Sequence, residues 1–404
     1  MRDTRRRGGV WIDVLVVAAI VTGGTAIAGA TNNPQPDAMA IPGCDVVQPA
    51  QDGVSFAIGT YGGKYDNPDY PWLTASKATA MSDALIESLP TGVELQFAAP
   101  STSLVFQPID VYPSDASLPD GITVEDISGD STASGIVEKS GVSARLRVSV
   151  QEWDRGVPAC VAEQLDERTT LPGGTVVDTS DAVSVLDGEP THRRYATAYF
   201  ADTIVGATMS NDGENAALPL EVGELRDIVS NPELRVSATV PDGTPLPRRD
   251  CGSSRENPVP PLPREQIERI GSALADRWAR FFPDARTDRP LNDLLPGRSG
   301  SGSACTSVTV VTPSGPSELT VDISVQEGSA WRDAGESSSP RVNGTTLPDG
   351  GVVTRWSDEF AAGARPSEYV SVLRPSNTRV QFGFGEGIDV DTLVALASSP
   401  GLDL

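Results

Sequence analysis

Two stretches of this chain recur at long range. Ser149–Glu152 reads SVQE, and so does Ser324–Glu327; Thr169–Val177 (TTLPGGTVV) returns as TTLPDGGVV at Thr345–Val353. The offsets are 175 and 176 residues, so the spacing between motifs is nearly kept. Downstream, Tyr195–Phe200 (YATAYF) matches Tyr369–Arg374 (YVSVLR), and Leu225–Leu234 (LRDIVSNPEL) parallels Leu393–Leu402 (LVALASSPGL). A period this long means two copies of a whole domain, not a short-repeat solenoid. Glu152 and Glu327 take the same place in the two copies, which points to packing or a shared turn before it points to catalysis.

Hydrophobic periodicity gives each copy a coarse plan. In the second, Pro263 introduces a helix in which Ile267, Ile270, Leu274, Trp278 and Phe281 fall on one stripe. Strands are expected at Ser307–Val311, Leu319–Val325, Gly351–Trp356, Tyr369–Leu373 and Arg379–Phe384. Leu347–Gly351 (LPDGG) is turn chemistry, because Pro fixes φ and Gly permits positive φ. Asp389 or Asp391 caps a closing helix that stops near Pro400. The first copy repeats the plan: a helix near Ala75–Leu89 with Ala78, Met81, Leu85 and Leu89 on one face, and a closing helix at Leu220–Val229. Its strands are expected at Val93–Ala98, Leu104–Val111, Ala144–Glu152, Thr175–Thr179, Arg194–Phe200 and Thr203–Met209. Each module therefore reads as α+β: a mostly antiparallel sheet with an N-terminal and a C-terminal helix that cover one face.

Residues 10–30 are apolar and follow Arg5, Arg6 and Arg7. About 20 apolar residues cross a bilayer as a helix, and the arginines should stay on the cytoplasmic side. The expected organisation is a basic tail (1–9), a transmembrane anchor (10–30), a stalk (31–43), module 1 (44–240), a linker (241–263) and module 2 (264–404). The linker holds seven prolines, which suits a semi-rigid spacer. A cleaved signal peptide is the alternative for 10–30, since Ala26-Ile27-Ala28 and Ala28-Gly29-Ala30 fit small-x-small cleavage sites. Both versions place the bulk of the chain outside the cytoplasm.

The net charge of −24 repels phosphate backbones and disfavours nucleic acid as a partner. The four cysteines, Cys44, Cys160, Cys251 and Cys305, form an even set in an exported chain and suggest disulfides. The repeat favours Cys44–Cys160 and Cys251–Cys305, one bridge per module. No CxxC occurs, so a zinc ribbon is not expected.

His192 is the sole histidine, so any Ser-His-Asp triad would have to use it. G-x-S-x-G, S-x-x-K and Walker A sequences are absent, and neither cofactor nor metal is expected. The acidic turns at Asn211–Asn215 and Asp126–Asp130 depart from the EF-hand pattern. The exception to this blandness is Thr60–Trp72 (TYGGKYDNPDYPW), which gathers Tyr61, Tyr65, Tyr70 and Trp72 in a chain with 5% aromatic residues. Aromatic rings among Gly, Asn and Asp make adaptable contact surfaces for proteins or sugars. The bland alternative packs these rings under the first helix or against the sheet.

The scarcity of lysine (Lys64, Lys77 and Lys139) and the closing motif, an apolar helix ending in x-x-Pro-x-Leu, resemble exported or membrane-anchored actinobacterial proteins of unknown function. The resemblance covers the two module ends and brings no activity with it. The reading as a whole is a membrane-anchored extracytoplasmic binding protein of the bacterial envelope, sensory and scaffolding roles included, whose partner is an envelope protein or glycan. The alternatives are an envelope-polymer hydrolase working through carboxylates and an inhibitor-like module.

Overall fold

A computed structural model describes residues 40–50, 63–112, 129–186, 189–212, 216–250, 259–298, 302–312, 315–325, 343–358 and 367–404. The chain is α+β with mostly antiparallel sheets and divides into two compact units. The first takes the described residues up to Leu95 and Leu104–Thr244; the second takes Gln96–Ser103 and Pro245–Leu404. No helix among the described residues is long and apolar enough to cross a membrane, and residues 10–30 lie outside them.

In the first unit the elements run β1 (Val47–Gln48), α1 (Ala75–Glu87), β2 (Val93–Leu95), β3 (Asp130–Lys139), β4 (Val142–Glu152), β5 (Cys160–Val161), β6 (Glu167–Thr170), β7 (Val176–Leu186), β8 (Glu189–Tyr199), β9 (Thr203–Asp212) and α2 (Val222–Val229). Seven strands form one antiparallel sheet in the order β2-β3-β4-β9-β8-β7-β6. Alternation decides which face is buried. On β4, Ala144, Leu146, Val148 and Val150 point into the core, while Arg145, Arg147, Ser149 and Gln151 point out. On β9, Val205, Ala207 and Met209 are buried. Helix α1 starts at Thr74, whose hydroxyl accepts from the Lys77 amide at 3.1 Å. It buries Ala78, Met81 and Leu85, and α2 buries Leu225, Ile228 and Val229 in the same cluster. Burying one such Leu contributes roughly 1.5–3 kcal/mol. Lys139 on β3 bonds Glu224 of α2 at 2.5 Å.

Two features close this unit. The Thr203 hydroxyl, fully buried, accepts from the Val236 amide at 3.1 Å, and Arg235 pairs with Asp202 at 2.7 Å. Together they fasten the chain after α2 to the β8–β9 hairpin. Beneath that chain Lys77, 3% exposed, donates its Nζ to the Ala238 carbonyl. Burial pulls its pKa down to about 8 from the ordinary 10.5, against the opposing attraction of Asp202. Between those two values the folded state holds fewer protons than the unfolded chain, so stability rises as the pH climbs through the interval and gains nothing below it. In urea unfolding, wild type should therefore gain on Lys77→Met between pH 8 and pH 10.5. A constant difference across that range would show that Lys77 keeps its proton.

The second unit runs α3 (Arg264–Phe281), β10 (Arg286–Thr287), β11 (Leu295–Pro296), β12 (Ser303–Thr312), β13 (Gly315–Val325), β14 (Asn343–Thr346), β15 (Val352–Asp358), β16 (Ser367–Leu373), β17 (Thr378–Phe384) and α4 (Val390–Ala397). Its sheet has the order β10-β12-β13-β17-β16-β15-β14, and β11 also pairs with β12. Ile267, Ile270, Leu274 and Trp278 of α3 are buried against Val308, Val321, Val380 and Phe382. Gly271 is needed because a Cβ there would stand 2.5 Å from the Asn292 carbonyl oxygen. Asp389 caps α4 and accepts from the Thr392 amide at 2.8 Å. The buried Thr378 hydroxyl accepts from the Leu404 amide at 2.9 Å, and Arg374 pairs with Asp403 at 2.9 Å.

Several expected elements differ. Leu104–Val111 is not a strand: Leu104 takes φ 56, and Pro108 has no amide to donate. The segment still borders β3 through Leu104 N to Ser134 O (2.9 Å) and Gln107 N to Thr132 O (3.0 Å), burying Leu104, Phe106 and Ile109. The expected strand at Val93–Ala98 stops at Leu95. Strand β3 was not expected, and the β7–β8 hairpin is much longer than its apolar core suggested. Phe281 is 37% exposed instead of completing the α3 stripe, because the chain leaves the helix at Phe282, whose ring stacks on Trp278 at 4.2 Å. Leu89 lies beyond the end of α1 and is half-buried against the core.

Candidate binding surface

The aromatic segment is a compact turn before α1. The Asp66 amide donates to the Leu73 carbonyl (3.2 Å), Leu73 to Tyr70 (3.1 Å) and Tyr70 to Asn67 (3.0 Å), with Asp66 at φ 59. Asn67 Oδ1 accepts from the Asp69 amide at 3.1 Å, an Asx turn. Tyr65, Tyr70 and Trp72 are each half-buried against the core of the first unit, and Tyr65 donates its hydroxyl to the Phe106 carbonyl at 2.7 Å. Tyr61 lies outside the described residues. The turn therefore spends much of its ring surface on packing. Tyr70 keeps a different association: it neighbours Tyr112, which also lies near Asp130, Asp110 and Arg147. Burial, then the carboxylates of Asp130 and Asp110, push the Tyr112 hydroxyl up to about 12, against the pull of Arg147.

These residues sit at one margin of the uncovered face of the sheet. Pairing fixes that face as a grid of cross-strand rows. One row reads Asp130, Gln151, Ile204, Tyr199; the next Thr132, Ser149, Gly206, Thr197, Asp178, Arg168. A third reads Ser134, Arg147, Thr208, Tyr195, Ser180, and a fourth Ile136, Arg145, Ser210, Arg193. Arg168 holds Asp178 with two parallel hydrogen bonds, 2.6 and 2.7 Å, and Asp178 is buried. Burial raises the Tyr199 hydroxyl beside it, helped by Asp178, and raises Tyr195 to about 12. Arg145 and Arg193 have no ion-pair partner among the described residues, and Arg193 Nε is enclosed without an acceptor. Tyr112, Arg145, Arg147, Arg193 and Tyr195 were not singled out from sequence; they come from three segments distant in the chain.

His192 stands inside β8, opposite Val183 and Asn211. Its Nδ1 lies 2.7 Å from the Ala216 carbonyl oxygen and its Nε2 2.6 Å from Asp181 Oδ1, while Arg194 Nε donates to Asp181 Oδ2 at 2.7 Å. Both ring nitrogens are engaged by oxygens of the protein itself, which makes the ring a tie between segments. Burial alone would raise the Asp181 carboxyl; hydrogen bonds from Arg194 and His192 outweigh it and hold it below the usual carboxylate range. The group fastens the chain before α2 to the sheet. Glu152 ends β4, exposed, opposite Thr203, and Glu327 lies outside the described residues. Asn211 Nδ2 donates to the Ser143 and Ala217 carbonyls at 3.3 and 3.2 Å, which makes it a tie between strands. Residues 126–128 and 213–215 of the two acidic turns lie outside the described residues. Cys44 and Cys160 are bonded to each other. Cys305 is disulfide-bonded, and Cys251 lies outside the described residues.

The class thus defined is an α+β protein with two mostly antiparallel sheets, the first with a polar face opposite its helices. No family model matches the chain, and no curated protein matches it. Among solved structures, a crystal structure from Bacteroides thetaiotaomicron VPI-5482 is similar over 47% of this chain and 62% of that chain, at 10% identity and a TM-score of 0.17. At that score the likeness carries no argument about fold or activity.

Proposed function

We propose that this chain is an extracytoplasmic binding protein of the bacterial envelope, built from two copies of one α+β module and tethered by its N-terminal apolar segment. It meets its partner, an envelope protein or glycan, with the open face of the first sheet. One observation carries the binding reading: a face of Arg, Tyr, Ser and Thr, on which Arg145 and Arg193 have no ion-pair partner among the described residues, in a chain of 55 acidic and 31 basic residues. Arg and Tyr are enriched where surfaces meet partners, and the Ser and Thr hydroxyls between them can donate or accept hydrogen bonds.

The Cys44–Cys160 bond supports an oxidising compartment. Three correspondences support duplication. The helix–strand orders of the two units are alike. The Leu171 amide bonds the Thr175 carbonyl and Gly174 bonds Leu171, as Leu347 bonds Gly351 and Gly350 bonds Leu347. Thr203 with Val236 matches Thr378 with Leu404, and the neighbouring ion pair reverses its signs, Asp202 with Arg235 against Arg374 with Asp403.

Photo-crosslinking in the native cell tests the reading. A benzoylphenylalanine placed at Thr208, on the open face, should capture a discrete envelope component. The same probe at Glu87, exposed on α1, should not. Equal capture at both positions, or none at Thr208, would remove the open face as the binding surface.

A further inference from the structure

The open face is not flat. On β9 the outward residues Gly206, Thr208 and Ser210 are small, and a Cβ on Gly206 would come within 3.1 Å of Ser149 Oγ. The strands on either side carry long side chains. Arg145 and Arg193 flank Ser210, and Arg147 and Tyr195 flank Thr208. Two of these walls lean away from β9: Arg147 Nη2 reaches Thr132 Oγ1 at 3.4 Å, and Tyr195 hydrogen-bonds Ser180 on β7. The result is a trough along β9 with a hydroxyl floor, walled by guanidinium on both sides at one end. Strands lie about 4.8 Å apart, so the backbones of Arg145 and Arg193 stand roughly 10 Å apart. Both guanidinium groups can then converge on one anionic group above Ser210.

We infer that this trough binds a short saccharide bearing an anionic group, with Arg145 and Arg193 on the anion and Thr208, Ser210 and Tyr195 on the sugar; the inference rests on the binding reading of the same face. Guanidinium recognises carboxylate, sulfate and phosphate through charge-assisted pairs. Ser149, Thr197 and Thr208 supply hydroxyl partners, and the Tyr195 ring supplies a surface for sugar C–H groups. The net charge of −24 restricts the ligand to one or two charges, because a long polyanion meets repulsion from the rest of the molecule. Arg168, Arg194 and Arg235 of the same unit are already occupied, by Asp178, Asp181 and Asp202. Among the described residues of the second unit the corresponding strand is filled in. On β17, Arg379 lies 3.5 Å from Asp322, and Gly383 is closed in by Thr320 and Tyr369, at 2.6 and 2.8 Å from where its Cβ would stand.

The test is calorimetric titration of the full-length chain with carboxylated, sulfated and phosphorylated disaccharides, their neutral parent sugars, sodium sulfate and a penta-aspartate peptide. An anionic disaccharide should bind at least about tenfold more tightly than its neutral parent, and Arg145→Gln or Arg193→Gln should each lose about tenfold. Tyr195→Ala should weaken the disaccharide and leave sodium sulfate unchanged. Melting temperatures close to wild type exclude unfolding of the variants; if Arg193→Gln melts early, the exposed Arg145 variant decides. Equal binding of charged and neutral sugars, sulfate as tight as every disaccharide, or tighter binding of the peptide would each overturn the inference. So would silence across the panel. If the panel is silent while Thr208 still crosslinks, the binding reading survives and the saccharide does not.

Discussion

Replacing Cys44 and Cys160 by serine should cost the first unit about 4 kcal/mol and lower its melting temperature by roughly 10 °C. The bond spans 116 residues of sequence, a loop whose closure removes much entropy from the unfolded chain. What it holds in place is too small to hold itself. Strand β1 pairs with β5 over two residues, and Ile41, Cys160 and Leu165 form a separate apolar cluster. Yet this segment covers the outer strand of the sheet. The Arg168 amide on β6 donates to the Pro42 carbonyl at 2.9 Å, and Gly43, at φ 79, runs so close that a Cβ would collide with the Arg168 carbonyl oxygen. Losing the bond should therefore release residues 40–48 and leave β6 an exposed edge, open to pairing with other chains. Thermal melting with and without reductant, followed by limited proteolysis, checks this. A double-serine variant that melts within about 2 °C of wild type and resists cleavage near Cys44 would mean that the segment is held by something other than the bond.

Much of the scaffold was legible because its signals are local. The α3 stripe from Ile267 to Trp278, the cap at Asp389 and the alternation of β4 each depend on residues close in sequence, and each stands as expected. Strand β3 was missed because DSTASGIVEK reads as a polar, flexible stretch; its Ala133 and Val137 are buried, but Ser131 and Gly135 occupy the same inward row. Gly135 is there because Leu95 and Leu104 crowd it, with side-chain carbons 2.9 Å from where its Cβ would lie, a constraint set by residues far away in sequence. Aligning SVQE sets Glu152 level with Glu327, while strand pairing offers a different correspondence: Thr203 pairs with Glu152, whereas Thr378, which also accepts an amide from later in its unit, pairs with Val325. Registers that differ by two keep every side chain on its face, so periodicity does not tell them apart. The candidate surface was less legible still. Arg145 and Arg193 lie 48 positions apart, and each reads as an ordinary solvated residue until β9 is placed between them. The dense aromatic segment is the more conspicuous in sequence, but its rings serve the core as much as the surface.

Arg168→Met should destabilise the first unit by about 3–5 kcal/mol, even though methionine preserves most of the buried stem. The guanidinium is held on three sides. Nε and Nη2 grip Asp178, and Nη1 donates to the Pro158 carbonyl at 2.9 Å. The carboxylate is the harder group to abandon. Asp178 is 5% exposed, and its other neighbours include the hydroxyls of the half-buried Tyr199 and Tyr195, which cannot supply a positive charge. Removing the arginine leaves a desolvated charge beside neutral hydroxyls, and the lost stability measures that exposure to low dielectric more than the worth of the pair itself. The distinction can be measured. In Arg168→Met/Asp178→Leu both charges are gone, and only the Pro158 and Tyr199 groups lose a partner. The double variant should regain at least half of the loss, giving a coupling energy of about 2 kcal/mol or more in the cycle. If the double variant is no more stable than Arg168→Met, the arginine acts through the Pro158 carbonyl and its packing, and the carboxylate beneath it is reached by water.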